Sequence, residues 1–142
     1  MLQLWIKKKF SMTRYFTWNE FDRSVDHIAE KCKNFKISSI YGIPRGGLCL
    51  AVALSHKLDI KITQNPSKYS LIVDDIFDTG LTLNSFKNIE GANFFVLFSK
   101  EDPQWWNTVL FCNKKEWIVF PWENHEQVLI DQEEYNKRRL DN

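Results

Sequence analysis

Apolar and polar positions change period several times along the chain, and each change marks an element. After Thr17, the residues Phe21, Val25, Ile28, Ala29 and Cys32 return at helical spacing, which predicts a helix over 18–33 with Thr17 and Glu20 at its start. Ser38 to Ile43 is a short β-rich run that stops at Pro44, Arg45, Gly46 and Gly47, and Leu48 to Leu58 then carries a helical pattern of good helix formers. Lys61 to Thr63 reads as a second short strand. Ser70 to Asp75 reads as a third, apolar enough for the middle of a sheet covered on both faces. A helix is expected over 83–89, a strand over 94–98, and further strands over 108–112 and 117–120. A charged C-terminal helix is expected over 126–140, docking through Val128, Leu129 and Tyr135. Strands alternating with helices predict an α/β fold, a mainly parallel sheet flanked by helices.

Composition narrows the class. The 142 residues fit one domain, with no internal repeat, linker or low-complexity stretch. Nineteen Lys plus Arg against eighteen Asp plus Glu leave a formal charge of +1, so no global field gathers nucleic acid or an anionic membrane, and phosphate recognition must be local. No run approaches the roughly 18 apolar residues of a membrane span. The first residues put their apolar positions before Lys7, Lys8 and Lys9, the wrong order for a secretory signal. Cys32, Cys49 and Cys112 stand too far apart for a C-x-x-C pair or a disulfide framework, so a reduced, cytoplasmic location is expected. His27, His56 and His125 match no metal-ligand spacing. Six Trp and eleven Phe argue for a packed, aromatic-lined site, and exposed aromatics make a homo-oligomer, dimer or tetramer, the expectation. Residues 1–13 read as an N-terminal extension and 14–142 as the domain.

The strongest chemical signal runs from Leu71 to Thr82. An apolar strand ends in Asp74 and Asp75, and ligands of open parallel sheets sit beyond the carboxyl ends of strands. Two carboxylates there suit sugar hydroxyls or a hydrated cation. Asp78, Thr79, Gly80, Leu81 and Thr82 follow, a small, hydroxyl-rich turn leading into a helix, whose backbone N–H groups and helix N-terminus can cradle a phosphate. A sugar carrying phosphate is the implied ligand. The spacing of Asp74, Asp75 and Asp78 also fits the D-D-x-x-D motif of isoprenoid synthases, but that motif sits on a helix of an all-α protein, whereas here a strand precedes it and Thr79-Gly80 follows.

This stretch closely resembles the phosphoribosyl pyrophosphate (PRPP) motif of the type I phosphoribosyltransferases, with Phe77 standing where the family usually has a smaller aliphatic. The resemblance implies that the turn after the first core strand, with Arg45, Gly46 and Gly47, holds pyrophosphate, and it puts a non-proline cis peptide within 44–46. It implies that Asp74, Asp75, Thr79, Gly80, Leu81 and Thr82 hold PRPP, that Asp74 and Asp75 orient a hydrated Mg²⁺, and that Asp78 serves as general acid/base near the purine N7. Tyr15 to Trp18, Lys100 after Phe98 and Ser99, and the run Trp117 to Trp122 resemble the bacterial xanthine-guanine phosphoribosyltransferases and their archaeal relatives. From that resemblance Lys100 donates to the 6-oxo group, Trp117 stacks on the purine and Ile118 offers backbone groups to its edge, whereas Trp122 is expected in the core rather than in the pocket. The expected partners are PRPP and a purine base. One segment departs: between Ile62 and Leu71 the xanthine-guanine enzymes carry a flexible hairpin that closes over PRPP, and here only Gln64 to Tyr69 remain. Six residues reach at most about 20 Å, enough to return the chain but not to form a lid. A non-catalytic PRPP or nucleotide sensor is the rival expectation. Trp5, Trp105 and Trp106 acquire no role from either reading.

Overall fold

The computed structural model describes residues 12–141. In chain order the elements are β1 (Thr13–Tyr15), α1 (Trp18–Cys32), β2 (Ser39–Gly42), α2 (Leu48–Leu58), β3 (Ser70–Phe77), α3 (Leu81–Asn84), β4 (Asn93–Ser99), β5 (Asn107–Phe111), β6 (Trp117–Val119) and α4 (His125–Leu140). They fall into two compact units, one of residues 21–113 and a smaller one whose described residues are 12–20 and 114–141.

The larger unit holds a parallel sheet in the order β2-β3-β4-β5. Expected as a strand, Lys61 to Thr63 contributes only a single bridge, Ile62 to Ile40, on the outer side of β2. That bridge sets the topology, because the chain leaves β2 toward one side of the sheet and leaves β3 toward the other. The crevice at such a reversal lies beyond the carboxyl ends of the two strands, here Gly42 and Phe77. Burial follows the expected pattern: the first four residues of β3 and all of β4 after Asn93 are buried, and β3 opens at Asp74, Asp75 and Ile76. All five α1 residues expected on its inner face are buried, and α2 packs on β2 and β3.

After β3 the chain departs from expectation. Instead of a helix over 83–89, a single turn starts at Leu81 and stops at Asn84. The Ser85 hydroxyl donates to the Thr82 carbonyl, so the sequence Asn84, Ser85 and Asn88 offers the backbone partners that compete with helix propagation. Leu83 nonetheless enters a cluster with Ile43, Ile72, Phe77, Phe94, Val96 and Trp106. Phe77 lies flat on Trp106, ring centroids 3.8 Å apart and 8° from parallel, which explains the aromatic residue at that position. Trp105 meets the edges of Phe94 and Trp106 at 5.1 and 5.2 Å.

Gln64 to Tyr69 is pinned at the amino ends of β2 and β3. Ser38 Oγ donates to the Lys68 carbonyl, Ser38 N–H to Tyr69, and Tyr69 N–H to Glu90. The Ser67 N–H donates to Ser70 Oγ at 2.9 Å.

In the smaller unit β1 and β6 form a parallel pair. The Glu20 N–H donates to Thr17 Oγ1 at 3.2 Å, the cap expected for α1. Asn124 caps α4 through the N–H groups of Glu126 and Gln127. Along α4, Val128 is buried and Tyr135 packs against Trp117 at 5.1 Å, whereas Leu129, expected to dock, is exposed. Trp122 is half-buried and lies nearly parallel to Phe120, 4.9 Å away. Among the described residues no helix is long and apolar enough to cross a membrane.

Candidate active site

The turn after β2 carries the first group of candidate residues. The Pro44–Arg45 peptide is cis, as the resemblance implied. Gly47 N–H donates to Ile43 C=O at 2.8 Å, and Ile43 N–H to Val73 C=O at 2.9 Å, so the turn is laid against β3. Only a glycine fits at position 46: a Cβ there would stand 2.5 Å from Asp75 Cγ. The backbone of the turn and the Asp75 carboxylate are thus in direct apposition, and Arg45 is exposed beside them.

Asp74 and Asp75 end the apolar part of β3 as adjacent, partly buried carboxyls. Asp74 Oδ1 accepts the Asp75 N–H and Asp75 Oδ1 the Ile76 N–H, each at 2.8 Å. Burial, followed by the neighbouring Asp75 charge, pushes the Asp74 carboxyl up to about 8. Burial also raises Asp75, against backbone hydrogen bonds that pull it down. The structure therefore holds two acids where desolvation and mutual repulsion favour protons or a cation.

Asp78 follows at the carboxyl end of β3, and Lys100 stands one residue past β4. Their side chains meet, Lys100 Nζ to Asp78 Oδ2 at 3.6 Å, with the lysine side chain 3% and the aspartate side chain 35% exposed. The ammonium is buried and the carboxylate faces partly outward. Lys100 N–H donates to the Phe77 carbonyl at 2.9 Å, which fixes the two strand ends together.

Thr79 and Thr82 are exposed, Leu81 is 78% exposed, and Gly80 takes the left-handed conformation, φ +79°, that closes the turn. α3 is only one turn long, so a helix dipole adds little here and the N–H groups of the tight turn are the donors on offer to an anion. A cavity of about 490 Å³ opens beside the turn, lined in part by Thr79, Gly80, Leu81, Glu101 and Trp105.

Arg45, Gly46, Gly47, Asp74, Asp75, Asp78, Thr79, Gly80, Leu81, Thr82 and Lys100 all belong to the larger unit, at or just past the carboxyl ends of β2, β3 and β4. Trp117 and Ile118 belong to the smaller one. There Trp117 N–H donates to Met12 C=O and Phe16 N–H to Val119 C=O, so residues 117 and 119 serve the ladder to β1 and the N–H and C=O of Ile118 turn to the opposite edge. The Trp117 indole N–H is buried without a hydrogen-bond partner.

A purine phosphoribosyltransferase from Pyrococcus horikoshii superposes with a TM-score of 0.69 at 30% identity, covering 79% of this chain and 94% of that one. The chain belongs to the type I phosphoribosyltransferase family. A curated xanthine-guanine phosphoribosyltransferase from Desulfotalea psychrophila is 26% identical over 147 residues, 84% of this chain and 91% of the relative. The xanthine-guanine-hypoxanthine phosphoribosyltransferase of Helicobacter pylori has the same fold, TM-score 0.65 at 19% identity, over 84% of this chain and 99% of that one. No protein-family model matches the chain. The protein is thus a purine phosphoribosyltransferase, a glycosyltransferase by class.

Sequence reasoning missed the contribution of Ser99 and Trp106. Trp106 Nε1–H donates to Ser99 Oγ at 3.1 Å, and Ser99 Oγ–H donates to the Glu101 carbonyl at 2.6 Å, bracketing Lys100. The available signal was Phe77, whose size calls for an aromatic partner.

Proposed function

We propose that this phosphoribosyltransferase moves the 5-phosphoribosyl group of PRPP to a 6-oxopurine (guanine, xanthine or hypoxanthine), giving the nucleoside 5′-monophosphate and pyrophosphate, a reaction of purine salvage. The observation that carries the reading is Lys100, a buried ammonium held against Asp78 beside the Asp78-Thr79-Gly80 turn. An ammonium has donors only, so it favours the 6-oxo group and disfavours the 6-amino group of adenine. The names of the Desulfotalea and Helicobacter relatives point to the same bases.

Bond breaking at C1′ creates an oxocarbenium-like centre, so the protein's task is positioning and charge stabilisation. Arg45 and the turn through Gly46 and Gly47 hold the pyrophosphate, Asp74 and Asp75 orient the ribose hydroxyls, and the backbone of 79–82 takes the 5′-phosphate. Asp78 manages the ring proton at N7 while Lys100 donates to O6. By the resemblance, Trp117 and Ile118 of the smaller unit are the candidates for stacking on the purine and for meeting its edge.

Mg²⁺ fits the acidic pair. Two adjacent, desolvated carboxyls, Asp74 and Asp75, offer hard oxygen donors that would hold the cation together with water and substrate oxygens. Bound there, the cation supplies charge neutralisation for the departing pyrophosphate. The short link over 64–69, tied to Ser38 and Glu90, favours a second reading, a PRPP or nucleotide sensor without catalysis.

Incubation with PRPP, Mg²⁺ and guanine, xanthine, hypoxanthine or adenine, followed by nucleotide formation, separates the two. Turnover with 6-oxopurines and little with adenine is expected. PRPP binding without turnover on any base would favour the sensor.

A further inference from the structure

We propose that Trp106 is a positioning residue for the base-reading pair, acting through Phe77 and Ser99, the residues that immediately precede Asp78 and Lys100. One indole ring touches both. Its face lies on Phe77 at 3.8 Å, and its N–H donates to Ser99 Oγ at 3.1 Å. Ser99 passes the constraint across Lys100 by donating to the Glu101 carbonyl, while Phe77 passes it through its own carbonyl, which accepts the Lys100 N–H at 2.9 Å. Phe77, Ser99 and Trp106 are all buried, and Trp105 and Phe94 wall the cluster. Packed aromatic rings have few low-energy arrangements, and a hydroxyl saturated by one donor and one acceptor does not rotate. The strand ends that carry Asp78 and Lys100 are therefore set at one separation before any base arrives. A long, flexible ammonium side chain loses less freedom on binding when its backbone and first carbons are fixed in this way.

The inference rests on reading Lys100 as the donor to a purine 6-oxo group, and its test separates the two. Trp106→Phe keeps a ring on Phe77 and removes the indole N–H; Ser99→Ala removes both hydroxyl bonds and guards against misfolding in the first variant. For each folded variant, KM for guanine, Ki for 2-aminopurine (which lacks the 6-oxo group) and KM for PRPP are measured. Loss of one hydrogen bond's worth of positioning is expected to raise the guanine KM about fivefold while the other two constants stay within about twofold. A rise shared equally by guanine and 2-aminopurine, or none at all, would overturn the positioning role. A pulse of acetic anhydride, read by mass spectrometry at Lys100 relative to Lys87, needs no turnover: Lys100 is expected to label about fivefold faster in the variants than in the native chain. An inert native enzyme would sink the 6-oxopurine reading alone. Unchanged Lys100 labelling would sink this one.

Discussion

Among single residues, Asp78 and Lys100 form the ion pair on which the proposed base chemistry rests. Both were legible as polar residues at strand ends, but that they meet at 3.6 Å required the register of β3 against β4. Asp78→Asn keeps the size and a hydrogen-bonding oxygen while removing proton transfer. It is expected to lower kcat by roughly 10²–10⁴-fold and to leave PRPP affinity nearly unchanged, checked by steady-state kinetics beside calorimetric PRPP titration. Equal losses in both would reduce Asp78 to a binding group. Trp106 shows the reverse case: its indole N–H and ring face are invisible in a run of Gln104, Trp105 and Trp106, because their partners lie seven and twenty-nine positions away in the chain.

Elements come next, and the turn after β2 illustrates them. Pro44, Arg45, Gly46 and Gly47 read as a phosphate-holding turn, and the structure adds the reason for the first glycine, the Asp75 carboxyl directly against it. Gly46→Ala drives a methyl into the Asp75 carboxyl, so that side chain or the turn has to give. PRPP affinity is expected to fall tenfold or more while the melting temperature falls by a few degrees, read by calorimetry and thermal denaturation. Unchanged affinity would remove pyrophosphate holding from this turn. The helix expected over 83–89 shortened to one turn: its apolar positions, Leu83, Phe86 and Ile89, had the right spacing, whereas the Ser85 hydroxyl bonds locally to the Thr82 carbonyl. Periodicity reports which side chains face the core and says little about whether the backbone between them is helical.

For the molecule as a whole, the acidic pair links function to stability. Asp74 binds its proton more tightly in the folded state, about 8 against an ordinary value of 3.8, so the folded state holds more protons than the unfolded one between those values. The sign follows from linkage: the contribution of the Asp74 proton to stability is complete below about pH 4 and is lost as pH rises toward 8. In the metal-free protein the melting temperature is expected to fall from pH 6 to 9, and more steeply than in Asp74→Asn. Mg²⁺ with PRPP is expected to restore most at the alkaline end, measured by differential scanning fluorimetry across the series. Parallel slopes for the two proteins would place the pH dependence elsewhere.

Sequence alone determined the α/β class, because runs such as Ser70 to Val73 and Phe94 to Phe98 are too apolar for anything but a sheet covered on both faces. It also determined the residues at the strand tips and the shortness of the link over 64–69, since local residue type and chain length are properties of the linear chain. Tertiary structure decided what distance in sequence conceals. The single Ile62–Ile40 bridge put the reversal of the chain between β2 and β3, the packing of Trp106 tied Phe77 to Ser99, and desolvation raised the Asp74 carboxyl. Each depends on which segments meet and what they exclude, and pairing, packing and desolvation act only once the chain has folded.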